Sequence, residues 1–557
     1  MPDQTPIQLP PKYYLENFRY LIGFVQEQYA SVLEEPEQTF ISKFNALSED
    51  AQCLYLRMMN RKGVFFRIKK FQYAEIASIP TAEKELIERG FIQLVKELSL
   101  PEVIEVMQIF TKPELIKIFQ GQEGFDKSLK KLPKGELLLT LVSLWEPEEL
   151  VEALQAFEEV VSMLFVQEAT FLQFLFFGSL RYSMSEFVIR DIGNARFQVF
   201  DPEQFTPLFH TRLEAVEKFN MTLLYREFKR QKELLSAEEI YEWFRVHFPD
   251  VPELTEPTVP VFGRMVQRVG GLLERAKLWR QAEKIYQYAN KPPIRERRVR
   301  VLEKMGERDE ALALCVEIEE EPHNADEYYF ARDFQHKHQK DTRFLKATTR
   351  LLKKAEQMEV PLQFKESVEM GVLEQLAGQG YEGFFAENYL WRALFGLLCW
   401  EEIFDESTAS IHHPLQRRPS DLFGEQFLAK RKQKLQKRLQ LLEHPQQAMN
   451  YLGTVFREKE GTVNPFVGWF PDTMAHLDKL LSRVPGASLQ SVLWEIAKSP
   501  ENNTRGFPDL YVWKEQRYDF IEVKSPNDQL SNQQLYWMEF FRKKGIRVKV
   551  LRVHWGE

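Results

Sequence analysis

The stretch Gly506-Phe507-Pro508-Asp509-Leu510-Tyr511-Val512-Trp513, followed after a polar break by Asp519-Phe520-Ile521-Glu522-Val523-Lys524-Ser525-Pro526, constrains this chain more than any other. Leu510 to Trp513 and Tyr518 to Lys524 are rich in aromatic and β-branched residues, and Lys514, Glu515, Gln516 and Arg517 supply a charged turn between them. The segment therefore reads as a β-hairpin. Side chains alternate along a strand, which puts Glu522 and Lys524 on one face and turns Val523 into the core. Folding back across the turn brings Asp509, 13 residues before Glu522 (522 − 509), alongside it. Two acids and a lysine then share one face.

That grouping suits phosphodiester hydrolysis. Neighbouring carboxylates repel, a hard divalent cation between them relieves the repulsion, and Mg²⁺ or Mn²⁺ prefers such oxygen ligands. The cation would polarise a phosphate and acidify a water, while Lys524 orients or deprotonates that water or neutralises charge on the phosphorane. The alternative is a half-buried surface hairpin with an incidental Glu-Lys pair, because Glu-x-Lys is a common tripeptide. Pro-Asp opening a β-branched strand ahead of Glu-x-Lys is much rarer, which favours catalysis.

Gly506-Phe507-Pro508-Asp509, Glu522-Val523-Lys524 and Pro526-Asn527-Asp528-x-Leu530-Ser531-x-x-Gln534-x-x-Trp537 resemble the VRR-NUC branch of the PD-(D/E)xK nucleases. In particular they resemble the Fanconi-associated nuclease family in a short, bacterial-type form. Ala386-Glu387, then Leu394-Phe395-Gly396-Leu397-Leu398-Cys399-Trp400 and Ile403-Phe404, extend the resemblance upstream. It implies catalytic roles for Asp509, Glu522 and Lys524, and metal ligation by Glu387, Asp509, Glu522 and Val523, with Glu387 delivered by a helix. A first-turn glutamate at the positive end of a helix is the alternative for Glu387. Ser531 caps a helix running to Lys544 with Gly545 as its stop, and Gln534 in its first turn is either a supporting residue facing the site or plain surface polarity. The resemblance also implies branched or flapped DNA as partner and cutting near a 5′ end, as a 5′ flap endonuclease with 5′-3′ exonuclease activity in interstrand crosslink repair. A Holliday-junction or restriction-type endonuclease shares the chemistry, and a non-catalytic DNA-binding scaffold shares the architecture. In a bacterium the location implied is cytoplasmic, at the nucleoid.

The remainder reads as mainly helical and multidomain. Its 557 residues suggest several domains, and abundant Phe (44) with sparse Gly (25) favours helices over Gly-rich β architecture. Cys53, Cys315 and Cys399 are far apart and odd in number, which predicts a reducing compartment and no structural zinc. No secretory signal opens the chain, and the greasiest stretch, Thr170 to Leu180, is too short to span a bilayer, so no membrane partner is expected. A net charge of −8 is the wrong overall sign for DNA binding, so affinity has to come from local basic patches.

Arg61, Lys62, Arg67 and Lys69 form one such patch in residues 1–100, an N-terminal DNA-binding region. Residues 101–146 carry two short helices, from Phe110 and from Leu132, around a loop with Lys127, Lys130, Lys131 and Lys134; this resembles a SAP module, with the lysines toward phosphate. Residues 147–371 read as helix after helix. Gln281-Ala282-Glu283 and Glu310-Ala311-Leu312 recur 29 residues apart (311 − 282), an irregular tetratricopeptide-like repeat, with Arg295, Arg297, Arg298 and Arg300 between the copies, in a solvated loop or, as the alternative, reaching a DNA arm. Residues 372–557 form the α/β nuclease domain, with a mixed sheet and a helical insertion. In that insertion Lys430, Lys434 and Lys437 share one helix face and Arg431 lies on another, the densest basic run in the chain and a candidate DNA contact. Phe470-Pro471-Asp472 repeats the Phe-Pro-Asp tripeptide ahead of helix formers, so it is not a second metal site. His412 and His413 lie beside Pro414 in a loop without ligand partners at helical spacing.

Overall fold

The computed structural model describes residues 9–193, 195–338 and 345–556. The chain divides into two compact units, Met1–Asn194 with Phe209–Ala215 and Ala195–Leu208 with Val216–Glu557. All three cysteines are buried and unpaired, and among the described residues no helix is long and apolar enough to cross a membrane.

The first unit pairs three short antiparallel strands in the order β1 (Phe65–Phe66), β3 (Val161–Met163), β2 (Ile92–Leu94). Helices α1 (Lys112–Phe119), α2 (Lys134–Leu144) and α3 (Pro147–Phe157) bury Leu115, Phe119, Leu137, Leu141, Leu150 and Leu154 in one core that also takes in Phe65 and Val95. Thr111 caps α1 and Glu114 returns the hydrogen bond, satisfying donors that the helix start leaves open. The expected boundary between 146 and 147 is absent from this packing. Helix α3 shares the SAP-like core, and β3 bonds to strands that begin 96 and 69 residues earlier in the chain (161 − 65 and 161 − 92). The Thr170–Leu180 stretch is the buried helix α4 (Val166–Phe177).

In the second unit, helices α5 (Val259–Arg275), α6 (Trp279–Tyr286), α7 (Ile294–Met305), α8 (Arg308–Glu320) and α9 (Ala325–His338) pack each on the next. Ala282 and Ala311, the small residues at corresponding repeat positions, are both fully buried. The four arginines expected in a solvated loop lie on α7 instead. Each holds a carboxylate: Arg295 pairs with Glu327, Arg297 with Glu274, Arg298 with Glu283 and Arg300 with Glu296.

A five-stranded mixed sheet follows, in the order β4 (Glu356–Pro361), β8 (Val548–Gly556), β7 (Arg517–Lys524), β6 (Leu510–Lys514), β5 (Glu382–Phe385). Strands β4, β8 and β7 are parallel, while β7, β6 and β5 are antiparallel. Because β4 pairs with the last strand, the sheet begins before the expected opening at Val372. Helix α10 (Val368–Gly378) covers one face through Val372 and Leu376 over Leu510, Val512, Ile521 and Val523. The other face carries an aromatic layer in which the fully buried Trp391, on α11 (Leu390–Leu398), meets the rings of Phe507, Phe520 and Phe541. Such contacts contribute about 0.5–1.5 kcal/mol each beyond area burial. Between β5 and β6 lie α12 (Gln426–Leu439), α13 (Thr473–Leu481) and α14 (Gly486–Lys498), and α15 (Asn532–Lys543) connects β7 to β8. Helix α13 begins directly after Phe470-Pro471-Asp472, so that second tripeptide has no hairpin.

Candidate active site

The hairpin turns on two residues, Glu515 and Gln516, with Glu515 in the left-handed region (φ 57°) and Lys514 paired to Arg517 as the last rung. The charged turn expected over four residues is thus shorter, its outer two belonging to the strands. Register sets the chemistry. Leu510 faces Ile521, so Asp509, one step further, stands beside Glu522 at the open end of the hairpin. The Asp509 carboxylate (Oδ2) accepts the backbone N–H of Val523 at 2.7 Å. Lys524 Nζ reaches Glu522 Oε1 at 2.7 Å, and Gln534 Nε2 donates to the same oxygen at 2.5 Å. Gln534 also closes the capping box of α15 through Ser531, which fixes its backbone at the site. Gly506 has φ 79°, and Gln533 packs where a side chain would project, so the segment entering Asp509 requires glycine there.

Glu387 sits in the turn between β5 and α11, not on a helix as expected. The β5–β6 pairing carries on past Phe385, and the backbone N–H groups of Ala386 and Glu387 both donate to the Asp509 carbonyl, at 2.7 and 3.1 Å. A residue 122 positions upstream (509 − 387) is thereby anchored to the hairpin's first acid. Asn388, which the sequence reading passed over, adopts φ 55°, donates to Glu387 Oε1 at 2.8 Å and accepts from Gly506 N at 2.9 Å. Its signal was available, because Asn is among the few side chains that tolerate the left-handed region at a strand-to-helix turn.

Glu522 is fully buried, Asp509 is 9% exposed and the Lys524 side chain 11% exposed. Burial is the main reason the Asp509 carboxyl is pushed up to about 6; the Val523 N–H and Lys524 pull it down, while Glu387 and Glu369 push it further up. Burial again, then the charge of Asp509, pushes Glu522 up to about 8. Burial alone would lower Lys524, but the attached Glu522 outweighs it and holds the ammonium above its usual value. The influence of Glu369, at the start of α10, was not anticipated from sequence.

The residues present fit a hard cation. Glu522 Oε2 is buried without a hydrogen-bond partner, an orphan that a metal ligand would explain. Asp509, Glu387 and Glu522 offer only oxygen, and the Val523 side chain is in the core, so its backbone carbonyl is the one donor it has. Among the described residues no three His, Cys, Asp or Glu side chains already stand together as a ligand set, and Glu387 must turn from Asn388 to join the other two.

Raised carboxyl values give stability that is present below the unfolded value and lost as pH climbs through about 6 and then about 8. Melting of the metal-free protein is therefore expected to fall from pH 5 to pH 8.5. Because a cation must displace the same protons, Mn²⁺ affinity should rise about a hundredfold between pH 6 and pH 8, measured by titration calorimetry in buffers of matched ionic strength.

The expected DNA-contacting residues divide sharply. Arg67 is only 5% exposed and clamped by Glu114 and Glu158 in the first unit, and Arg431 on α12 is fully buried against Asp421, Thr408 and Ser410. Both are structural, which removes them from the DNA-facing set. Sequence counts charge but cannot see burial. Replacing Arg431 by Ala would strand Asp421 and two hydroxyls, at a cost of about 3–5 kcal/mol; a lower melting temperature with unchanged salt dependence of DNA binding is expected. Other cations have local partners: Lys69 pairs with Glu159, Lys130 with Gln120, Lys134 with the Gln108 carbonyl, Lys430 with the Thr408 carbonyl and Lys434 with Asp405. Arg61 lies over the Phe71 ring at 4.4 Å. Lys62, Lys127, Lys131 and Lys437 are exposed. His412 and His413 are buried, and both ring nitrogens of His412 are engaged, by the Thr206 carbonyl and Ser420.

Residues 12–93 match the family model described as FAN1, HTH domain, and residues 445–555 match the VRR-NUC domain. The whole chain is 29% identical to a Fanconi-associated nuclease 1 homolog of Pseudomonas aeruginosa, covering 98% of it. It is 24% identical to a homolog of Arabidopsis thaliana over 98% of this chain and 68% of that one. Against Fanconi-associated nuclease 1 of Homo sapiens the values are 25%, 97% and 62%. Among solved structures, paFAN1 bound to 2-nt 5′ flap DNA with a gap matches with a TM-score of 0.84 at 28% identity, covering 99% of this chain and all of that one. Fold and site together define a divalent-metal-dependent nuclease, a phosphodiester hydrolase with a PD-(D/E)xK hairpin. The chain carries the FAN1 HTH and VRR-NUC domains and is similar along its whole length to the Fanconi-associated nucleases. The VRR-NUC match begins at Pro445, after β4, β5 and Glu387, so the sheet that builds the site is larger than the matched segment.

Proposed function

We propose that this protein is a structure-selective DNA nuclease that cuts near the 5′ end of flapped and branched DNA, with Asp509, Glu522 and Lys524 as its catalytic residues and Glu387 and the Val523 carbonyl as further ligands. The observation that carries the reading is the meeting of Asp509, Glu522, Lys524 and Gln534 at one hairpin end, with a buried Glu522 oxygen left unpaired. A divalent cation, Mg²⁺ or Mn²⁺, supplies Lewis-acid polarisation of the phosphate and a more acidic water when bound. The chain's own residues do the rest. Lys524, kept protonated by Glu522, places positive charge where negative charge develops on phosphate oxygens. Gln534 and the Val523 N–H hold the two carboxylates in position, and the low exposure of the site excludes bulk water, strengthening each of these interactions.

Flap selectivity is supported by the full-length likeness to paFAN1, solved with 1-nt and 2-nt 5′ flap DNA. A 5′-3′ exonuclease activity, a part in interstrand crosslink repair and a cytoplasmic place at the nucleoid belong to the same reading. The alternatives, a Holliday-junction or restriction-type endonuclease and a non-catalytic scaffold, are separated by one assay. End-labelled 5′ flap, 3′ flap, fork, junction and linear duplexes are incubated with Mg²⁺, Mn²⁺ or chelator. Metal-dependent cuts near the 5′ flap support the proposal; preferred junction cleavage, or no cleavage with any metal, refutes it.

For binding, Lys127 and Lys131 are exposed cations of the SAP-like loop, whereas the exposed Lys130 is held by Gln120. Replacing both by Ala should weaken DNA binding alike for every substrate and lower the salt slope by up to about 1.8, roughly 0.9 per lost phosphate contact. An unchanged slope, read by fluorescence anisotropy across salt concentrations, assigns both to solvent.

A further inference from the structure

Helices α9, α12, α14 and α15 line an open cavity of about 690 Å³ that takes in Tyr536, Glu539, Phe540 and Lys543 of α15. Its walls include Tyr328, Trp494, Tyr536 and Phe540, and its rim carries Lys543 and Lys544. Tyr536 and Phe540 stack on each other at 6.1 Å, whereas the half-buried Trp494 indole has no ring contact and no side-chain hydrogen bond among the described residues. The two acids of the cavity are already engaged: Glu495 accepts from Tyr536 at 2.5 Å and from Lys498 at 2.9 Å, and Glu539 accepts from Tyr329 at 2.6 Å. Both carboxylates are held by internal donors; Lys543 and Lys544 are exposed, and the Lys544 ammonium lies over the Phe540 ring at 5.7 Å. Flat aromatic walls under a cationic rim are the elements that hold a base and its phosphate. The volume lies within the range of small-ligand pockets.

Position points the same way. Gln534 at the start of α15 touches Glu522, and Lys543 at its end lies nine residues on (543 − 534), about 14 Å along the axis at 1.5 Å per residue. One rigid helix thus joins the candidate active site to the cavity. We propose that the cavity binds a nucleotide of the single-stranded arm of the substrate, with the base against Trp494 and the phosphate at Lys543 and Lys544. This rests on the reading of the chain as a flap nuclease and deepens it, by giving the arm a seat separate from the reacting phosphate.

The test compares 5′ flap substrates with arms of 1, 5 and 15 nucleotides and an armless nicked duplex, using wild type, Trp494→Ala, Trp494→Phe and Lys543→Glu. Binding is measured by anisotropy in chelator and cleavage in Mn²⁺. Loss of one base-aromatic stack should weaken binding of the long-arm substrates by about tenfold in Trp494→Ala, with substantial rescue in Trp494→Phe. Lys543 is exposed, so Lys543→Glu should fold normally and show a comparable loss. All variants should bind and cut the nicked duplex as wild type does. Equal weakening on every substrate, or none on the long arms, overturns the proposal. So does capture of a fluorescein-labelled oligoglutamate peptide, and not oligo(dT), in a Trp494-dependent manner, which would make the cavity a seat for an acidic peptide. Failure of wild type to cut any substrate would sink the nuclease reading instead, while arm-dependent binding would still report on the cavity.

Discussion

Asp509→Ala is expected to lower cleavage of a 5′ flap by about three orders of magnitude or more while leaving flap affinity within a few-fold. The Asp509 carboxylate accepts the Val523 N–H beside Glu522 at the hairpin's open end, and the direct partner of Lys524 is Glu522. Removing it deletes a proposed metal ligand and also one of the charges that push Glu522 up to about 8. Glu522 should therefore ionise more readily, and the metal-free variant should melt no lower than wild type near pH 8, which distinguishes a chemical loss from an unfolding one. Single-turnover cleavage, anisotropy in chelator and a thermal melt on the same preparation read the three effects. A fully active Asp509→Ala protein would sink the site assignment, whatever its stability.

Glu387→Gln carries the second large effect. The substitution keeps size and the hydrogen-bonding partner Asn388 but removes a charge from a group that must turn to reach Asp509 and Glu522. The backbone contacts from Ala386 and Glu387 to the Asp509 carbonyl do not depend on the side chain, so the turn should hold its shape. Cleavage at low Mn²⁺ should fall by roughly a hundredfold or more and recover only partly at high Mn²⁺, because a neutral amide oxygen is a weaker ligand than a carboxylate. Near-normal cleavage at low Mn²⁺ would show that Glu387 serves only the turn it sits in.

The hairpin was legible because strand period is a local property: alternation alone puts Glu522 and Lys524 on one face, and the turn length fixes which residue faces Glu522. Gln534 was legible only in part: the cap at Ser531 places it in the first turn of the helix, but nothing local distinguishes a residue facing the site from surface polarity. Other features depend on distant pairing. Strand β3 has three residues and bonds to segments around Phe65 and Ile92, and β4 finds its partner at Leu551 to Gly556, so neither leaves a local period strong enough to place a domain boundary. The helix expected to deliver Glu387 gave way to a strand-to-helix turn because the pairing of β5 with β6 continues to Asp509. Arg67 and Arg431 misled for a different reason. A guanidinium can be buried when carboxylates and carbonyls surround it, and charge counting along a sequence treats it as solvent-facing. The same misreading of α7 as a loop came from its four arginines, whose carboxylate partners lie on neighbouring helices or one turn away.

That the acids of the hairpin and of the β5 turn share one divalent cation is tested most directly by calorimetric Mn²⁺ titration at pH 8 of wild type, Asp509→Ala, Glu387→Gln and Lys524→Ala. Wild type should bind with release of protons, since Asp509 and Glu522 hold them in the metal-free protein. Asp509→Ala should show no binding, Glu387→Gln clearly weakened binding, and Lys524→Ala binding retained, because a protonated lysine is not a ligand. Equal Mn²⁺ affinity in wild type and Asp509→Ala would contradict a metal centre at this hairpin.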